Sequence, residues 1–124
     1  MSDCPFCNYL GPSVVRRRWS DAYVIEPLNP VTDGHLLVIP FQHIATADEN
    51  PYVASRAFAR AAELVEFVGD CNLIQSNGVA ATQTVRHLHI HVVPRSRGDG
   101  LLLPWSSPAA SAVSGSAVSR EQTT

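Results

Sequence analysis

The 124-residue sequence predicts an α+β sheet domain, and three observations carry that prediction. Short apolar runs bounded by turn residues recur along the chain. One longer segment between them repeats its apolar residues at helical spacing. Large apolar residues then thin out after Trp105. The folded unit is therefore expected over residues 1–105, with the Ser- and Ala-rich stretch 106–124 as a disordered tail.

The elements follow in order. "SVVRRRWSDAYVIEPL" reads as two short strands meeting near Ser20-Asp21. Its triple arginine, Arg16 to Arg18, reads as a solvated strand edge, with attraction of phosphate as the alternative. "GHLLVIP" is a continuous apolar run between Gly34 and Pro40, the pattern of a strand buried on both faces. A helix comes next, with Asn50 as its cap, Pro51 in its first turn and Gly69 at its end. Its apolar face is Ala54, Ala57, Phe58, Ala61, Leu64, Val65 and Val68, opposite Arg56, Arg60, Glu63 and Glu66. "CNLIQ" is a fourth strand, "SNGVAATQT" a loop with Asn77-Gly78 as its turn, and "HLHIHVV" the last strand. A unit this small buries a limited share of its surface, so covering an open sheet edge or helix face in a homodimer is expected.

Composition narrows the function. With 45% hydrophobic and 16% charged residues the chain has the balance of a globular protein, and its net charge of −2 gives no support for a nucleic-acid binder. No run approaches the roughly 18 apolar residues that span a bilayer. "MSDCPFC" lacks the basic and then apolar blocks of an export signal, and an odd three cysteines argue for a reducing compartment. The expected location is cytoplasmic. Cys71 reads as a buried free thiol, whereas Cys4 and Cys7 form a C-x-x-C pair suited to a metal or to redox exchange.

Three histidines, His87, His89 and His91, stand at alternate positions in "QTVRHLHIHVVPR". Strand geometry puts them on one face, with Leu88, Ile90 and Val92 on the other. Three buried imidazoles without partners are costly, so that face must line a cleft or meet partners. His35 opens the "HLLVIP" run and His43 follows it, which with Cys4 and Cys7 supplies enough donors for a tetrahedral zinc.

The pattern His-φ-His-φ-His-φ-φ, with φ apolar, resembles the histidine triad (HIT) superfamily. "NPVTDGHLLVIPFQH" and "SNGVAATQTVRH" precede it in the family's order and spacing, and the likeness runs from about Cys4 to Trp105. The resemblance implies an antiparallel sheet with one main helix, assembled as a two-fold homodimer. It implies a hydrolase or nucleotidyl transferase acting at the α-phosphorus of purine nucleotide conjugates. Phosphoramidates or adenylated small molecules come first as substrates and dinucleoside polyphosphates second.

By the same resemblance His89 is the nucleophile, and His91 orients it and binds a phosphate oxygen. Gln83 and Thr84 match the phosphate-contacting pair, with Thr84 also within reach of the leaving group, and Asn77 matches an asparagine near the phosphates. Glu26 stands in for the ribose-binding residue, because Pro27 occupies that position here. In the zinc-carrying branch the ligands are Cys4, Cys7, His43 and His87. Four protein ligands make such a zinc structural, and no catalytic metal is required. A three-histidine catalytic zinc on the triad and a redox C-x-x-C are the rival chemistries. A nucleotide-binding regulatory module with little turnover is the rival function. Thr82 replaces a common glycine before Gln83, and His35 is expected to hold a loop carbonyl.

Overall fold

The computed structural model describes residues 4–8 and 14–105; the expected tail, 106–124, lies outside the described residues. Strands β1 (Val15–Arg18), β2 (Ala22–Ile25), β3 (Leu36–Pro40), β4 (Cys71–Ile74) and β5 (Ile90–Pro94) form one sheet in the order β1-β2-β3-β5-β4. Every pairing is antiparallel. One helix, α1 (Pro51–Val68), covers one face.

The helix ends where its sequence signals lie. Asn50 Oδ1 accepts the Val53 N–H at 3.2 Å, Pro51 needs no donor partner in the first turn, and Gly69 ends the helix at a φ of +83°. Ala54, Ala57, Ala61 and Leu64 are buried on the sheet as expected, and Val53 joins them. Phe58 and Val65 do not: they are 37% and 36% exposed. The alanines bring the helix close to the sheet, which confines the buried stripe and leaves the two larger residues at its margin. Arg56 and Arg60 hold Asp21 at 3.2 and 2.8 Å, tying the β1–β2 turn to the helix.

Alternation sorts the sheet into two faces. Ala22, Val24, Val38, Leu88, Ile90 and Val92 pack beneath α1. Tyr23, Leu37 and Ile39 form a smaller cluster on the opposite face, with Phe6 packed against it. His91 lies across from Leu37 on that second face. The last strand starts later than expected: ladder pairing begins at Ile90, because the Leu88 N–H bonds the Ile44 carbonyl at 2.7 Å instead of a strand partner. The backbone stays extended enough to keep the three histidines on one side.

The edges of the sheet differ in character. β1 carries Arg16, Arg17 and Arg18, with Arg16 paired to Glu26 at 2.8 Å and Arg17 to Glu63 at 3.5 Å. β4, at the other edge, has no charged residue. Among the described residues no helix is long and apolar enough to cross a membrane.

Candidate functional site

A cleft of about 480 Å³ opens on the face away from α1. That size suits a small-molecule ligand. Its walls include Phe6, Leu37, Glu26, Thr84, His35, His89 and His91, and most of the lining is apolar. The sequence-expected residues Glu26, Thr84, His89 and His91 therefore meet in one place.

Hydrogen-bond partners assign the imidazole tautomers. His89 Nδ1 lies 2.8 Å from the His87 carbonyl, which can only accept, so Nδ1 carries the proton and Nε2 keeps its lone pair. Burial depresses the His89 pKa, against the pull of that carbonyl, so the ring is neutral near pH 7. His91 is pushed down to about 4 by burial and by the neighbouring His89 and His35.

His35 is the residue whose role the sequence hid. It was expected to hold a loop carbonyl; instead its Nδ1 accepts the Val31 N–H at 3.1 Å and its Nε2 meets His91 Nδ1 at 3.0 Å. The direction of the relay follows. With Nδ1 accepting, a neutral His35 donates from Nε2 to His91 Nδ1, and His91 then presents an Nε2–H. Burial lowers the His35 pKa as well. No sequence pattern signals a contact between residues 56 positions apart.

His87 is assigned the opposite tautomer. Its Nε2–H donates to the Pro40 carbonyl at 2.8 Å, leaving Nδ1 bare. That atom lies 3.3 Å from Cys4 Sγ, 3.5 Å from Cys7 Sγ and 3.1 Å from His43 Nδ1. Cys7 Sγ and His43 Nδ1 are 3.0 Å apart, and all four donor atoms lie within 4.8 Å of one another. A tetrahedral zinc with ordinary bond lengths spaces its ligand atoms by about 3.3–3.8 Å, so this donor set fits the ion. The Cys7 N–H also bonds Cys4 Sγ at 3.3 Å, closing a tight turn around the sulfurs. Partial desolvation and the adjacent Cys4 sulfur raise the Cys7 thiol pKa, so its thiolate form calls for a cation. Burial also lowers the His87 pKa, with the Pro40 carbonyl opposing.

Gln83 and Asn77 lie outside the cleft lining and hold the loop beside it. Gln83 is buried, donates from Nε2 to the Ala45 and Val85 carbonyls, and accepts from the Gly78 N–H and Arg86. Asn77 Oδ1 accepts the Ala47 N–H and the Gln75 amide, both at 2.8 Å. Their polar atoms shape the turn that delivers Thr84. Thr82 in that loop takes a φ of +70°, a conformation costly for a β-branched residue. Phe6 is a second residue the sequence did not mark. Its ring stands edge-on to His89, with centroids 5.2 Å apart.

A model of the HIT domain family matches residues 12–98. Among relatives, the chain is 33% identical over 116 residues to an Arabidopsis thaliana protein named adenylylsulfatase HINT3. That match covers 86% of this chain but 57% of the plant protein, so the chain spans little more than half the relative's length. It is 29% identical over 113 residues to a Saccharomyces cerevisiae protein named adenosine 5'-monophosphoramidase HNT1, covering 82% of this chain and 69% of that protein. Among solved structures, a zinc-bound histidine triad family protein from Mycobacterium smegmatis superposes with a TM-score of 0.67 at 26% identity, over 98% of this chain and 96% of that one.

Proposed function

The chain belongs to the HIT domain family, and from that premise we propose that it hydrolyses adenylate-type nucleotide conjugates through a nucleotidyl intermediate on His89. Phosphoramidates or adenylated small molecules are the first substrate class. The names of the plant and yeast relatives, an adenylylsulfatase and an adenosine 5'-monophosphoramidase, support that class. One observation carries the proposal: His89 commits Nδ1–H to the His87 carbonyl and so keeps a bare Nε2 on a neutral ring lining the cleft.

A neutral imidazole is nucleophilic near pH 7, and its phosphoramidate is labile. His89 Nε2 forms the bond to the α-phosphorus as the bond to the leaving group breaks, sulfate departing as its anion and an amine departing with a proton taken up from solvent. The Nε2–H of His91, set by His35, donates to a non-bridging phosphate oxygen as charge builds. The Thr84 hydroxyl, on the cleft wall, hydrogen-bonds the leaving atom. Water then attacks the phosphorus of the nucleotidyl-His89, releases the nucleoside monophosphate and restores the imidazole. Gln83 and Asn77 serve the nucleotide by fixing the loop, and Glu26 accepts from the ribose hydroxyls.

Cys4, Cys7, His43 and His87 hold a structural zinc in this proposal. With all four positions filled by protein, the ion crosslinks the N-terminal turn to the sheet and takes no part in the chemical step. A homodimer through β4 completes it. That edge is uncharged, Ile74 on it is 40% exposed, and Phe58 and Val65 present apolar surface on α1. The catalytic unit is assigned to residues 1–105 and its location to the cytoplasm.

The test is rapid-quench kinetics with adenosine 5'-phosphoramidate, with the nucleotidyl adduct trapped and weighed. The wild type forms the adduct; His89→Ala loses it and at least roughly 10³-fold in turnover, while zinc stays near one per chain. Full hydrolysis by His89→Ala rules out the mechanism.

A further inference from the structure

We propose that Phe6 is a positioning residue that couples metal binding at the Cys4–Cys7 turn to the nucleotide cleft, a coupling that rests on the nucleotide reading of that cleft. Phe6 lies between the two cysteines in sequence. Its ring is edge-on to His89, with centroids 5.2 Å apart at 72°, and to His87 at 6.0 Å and 83°. Pro5 and Phe6 both line the cleft. One short turn therefore carries two metal donors and part of the cleft wall.

What holds that turn against the sheet decides the consequence. Among the described residues its polar anchors to the rest of the chain include Cys4 Sγ to His87, Cys7 Sγ to His43 and His87, and the Tyr23 hydroxyl donating to the Phe6 carbonyl. All the sulfur contacts join donors of the same metal set. A bound cation replaces weak thiol–imidazole contacts with coordinate bonds and fixes the turn. Without it, Phe6 keeps its ring packing and the Tyr23 bond, and its place against His89 is held less tightly. Ordering that wall and the His89 ring then falls on the incoming nucleotide, which weakens binding. Coupling of this kind is reciprocal, so nucleotide must tighten metal binding by the same factor.

The experiment measures both arms on the full chain. AMP affinity is determined by calorimetry with zinc loaded and after chelation. Zinc affinity is determined by competition with a chromophoric chelator, with and without saturating AMP. In the wild type chelation weakens AMP binding about fivefold or more, and AMP tightens zinc by the same factor. In Phe6→Ala zinc stays near one per chain and the factor falls to about one, an outcome that loss of stability alone does not produce.

A wild-type factor of one, or a full factor retained in Phe6→Ala, overturns the coupling. Should Phe6→Ala lose zinc, Phe6→Leu keeps the apolar bulk without the aromatic edge; a reduced factor there supports the coupling and an unchanged one overturns it. The two failures separate cleanly. Zinc-loaded wild type that binds no AMP overturns the nucleotide reading and the coupling with it, whereas AMP binding that ignores zinc overturns the coupling alone.

Discussion

His87 and His89 are two residues apart on one face, fully or nearly buried, and they are opposite tautomers. His87 donates from Nε2 to the Pro40 carbonyl and turns a bare Nδ1 towards two sulfurs and His43. His89 donates from Nδ1 to the His87 carbonyl and keeps a bare Nε2. In the proposed function, a backbone carbonyl at the second ring nitrogen therefore divides the run into a metal end and a reactive end. His91 shows a third arrangement. Its Nδ1 faces an imidazole rather than a carbonyl, so its tautomer depends on His35.

Short of replacing His89 itself, that dependence gives the largest expected effect. His35→Phe keeps a ring at the same place and removes the only described donor to His91 Nδ1, leaving a half-buried polar atom without that donor. A lost hydrogen bond of about 1–3 kcal/mol translates to a roughly five- to 150-fold fall in turnover. Zinc content, measured by atomic absorption, is expected to stay constant, since no ligand contacts His35. Loss of zinc in this variant, or an unchanged rate, breaks the division between the two ends.

The metal end was the more legible in sequence. Two cysteines three positions apart, a histidine after an apolar strand and the first triad histidine belong to a recognisable donor set, and the structure brings all four together. The helix was legible for a similar reason, because Asn50, Pro51 and Gly69 act locally. The reactive end hid more. His35 reaches His91 across the sheet, and Phe6 reaches His89 only because the turn folds back. Gln83 looked like a phosphate ligand, yet its amide faces into the loop, where four partners satisfy it. Spacing specifies which face a side chain takes on a strand, but not which partner a ring nitrogen or an amide finds.

Acid separates the ends by a smaller margin. His91 titrates near 6.5 unfolded and is depressed to about 4 in the fold, so the unfolded chain binds more protons between those values. Its contribution to stability is therefore complete above about pH 6.5 and is lost as pH falls towards 4. The full shift is on the order of 3 kcal/mol, and solvent at the partly exposed ring brings it to about 2. A cation held as proposed by Cys4, Cys7, His43 and His87 would also be released in acid, so the measurement is a difference: urea midpoints at pH 7 and 4.5 for wild type and His91→Asn. The wild type is expected to lose more, and equal losses sink the assignment.

The smallest effect lies between the two ends, in the loop that carries Thr84. Thr82 holds a φ of +70° and a ψ of 26°, where its branched side chain crowds the backbone. Strain there costs of order 1–3 kcal/mol, while a glycine at the same place loses roughly 0.5–1 kcal/mol to the entropy of the unfolded chain. The difference favours Thr82→Gly by about 1 kcal/mol, read as a higher urea midpoint at unchanged slope. Thr82 is exposed and outside both the cleft lining and the metal set, so zinc content and AMP affinity are expected to stay put. A lower midpoint shows that the loop draws stability from the threonine. A changed affinity with zinc unmoved shows that the loop's backbone belongs to the reactive end.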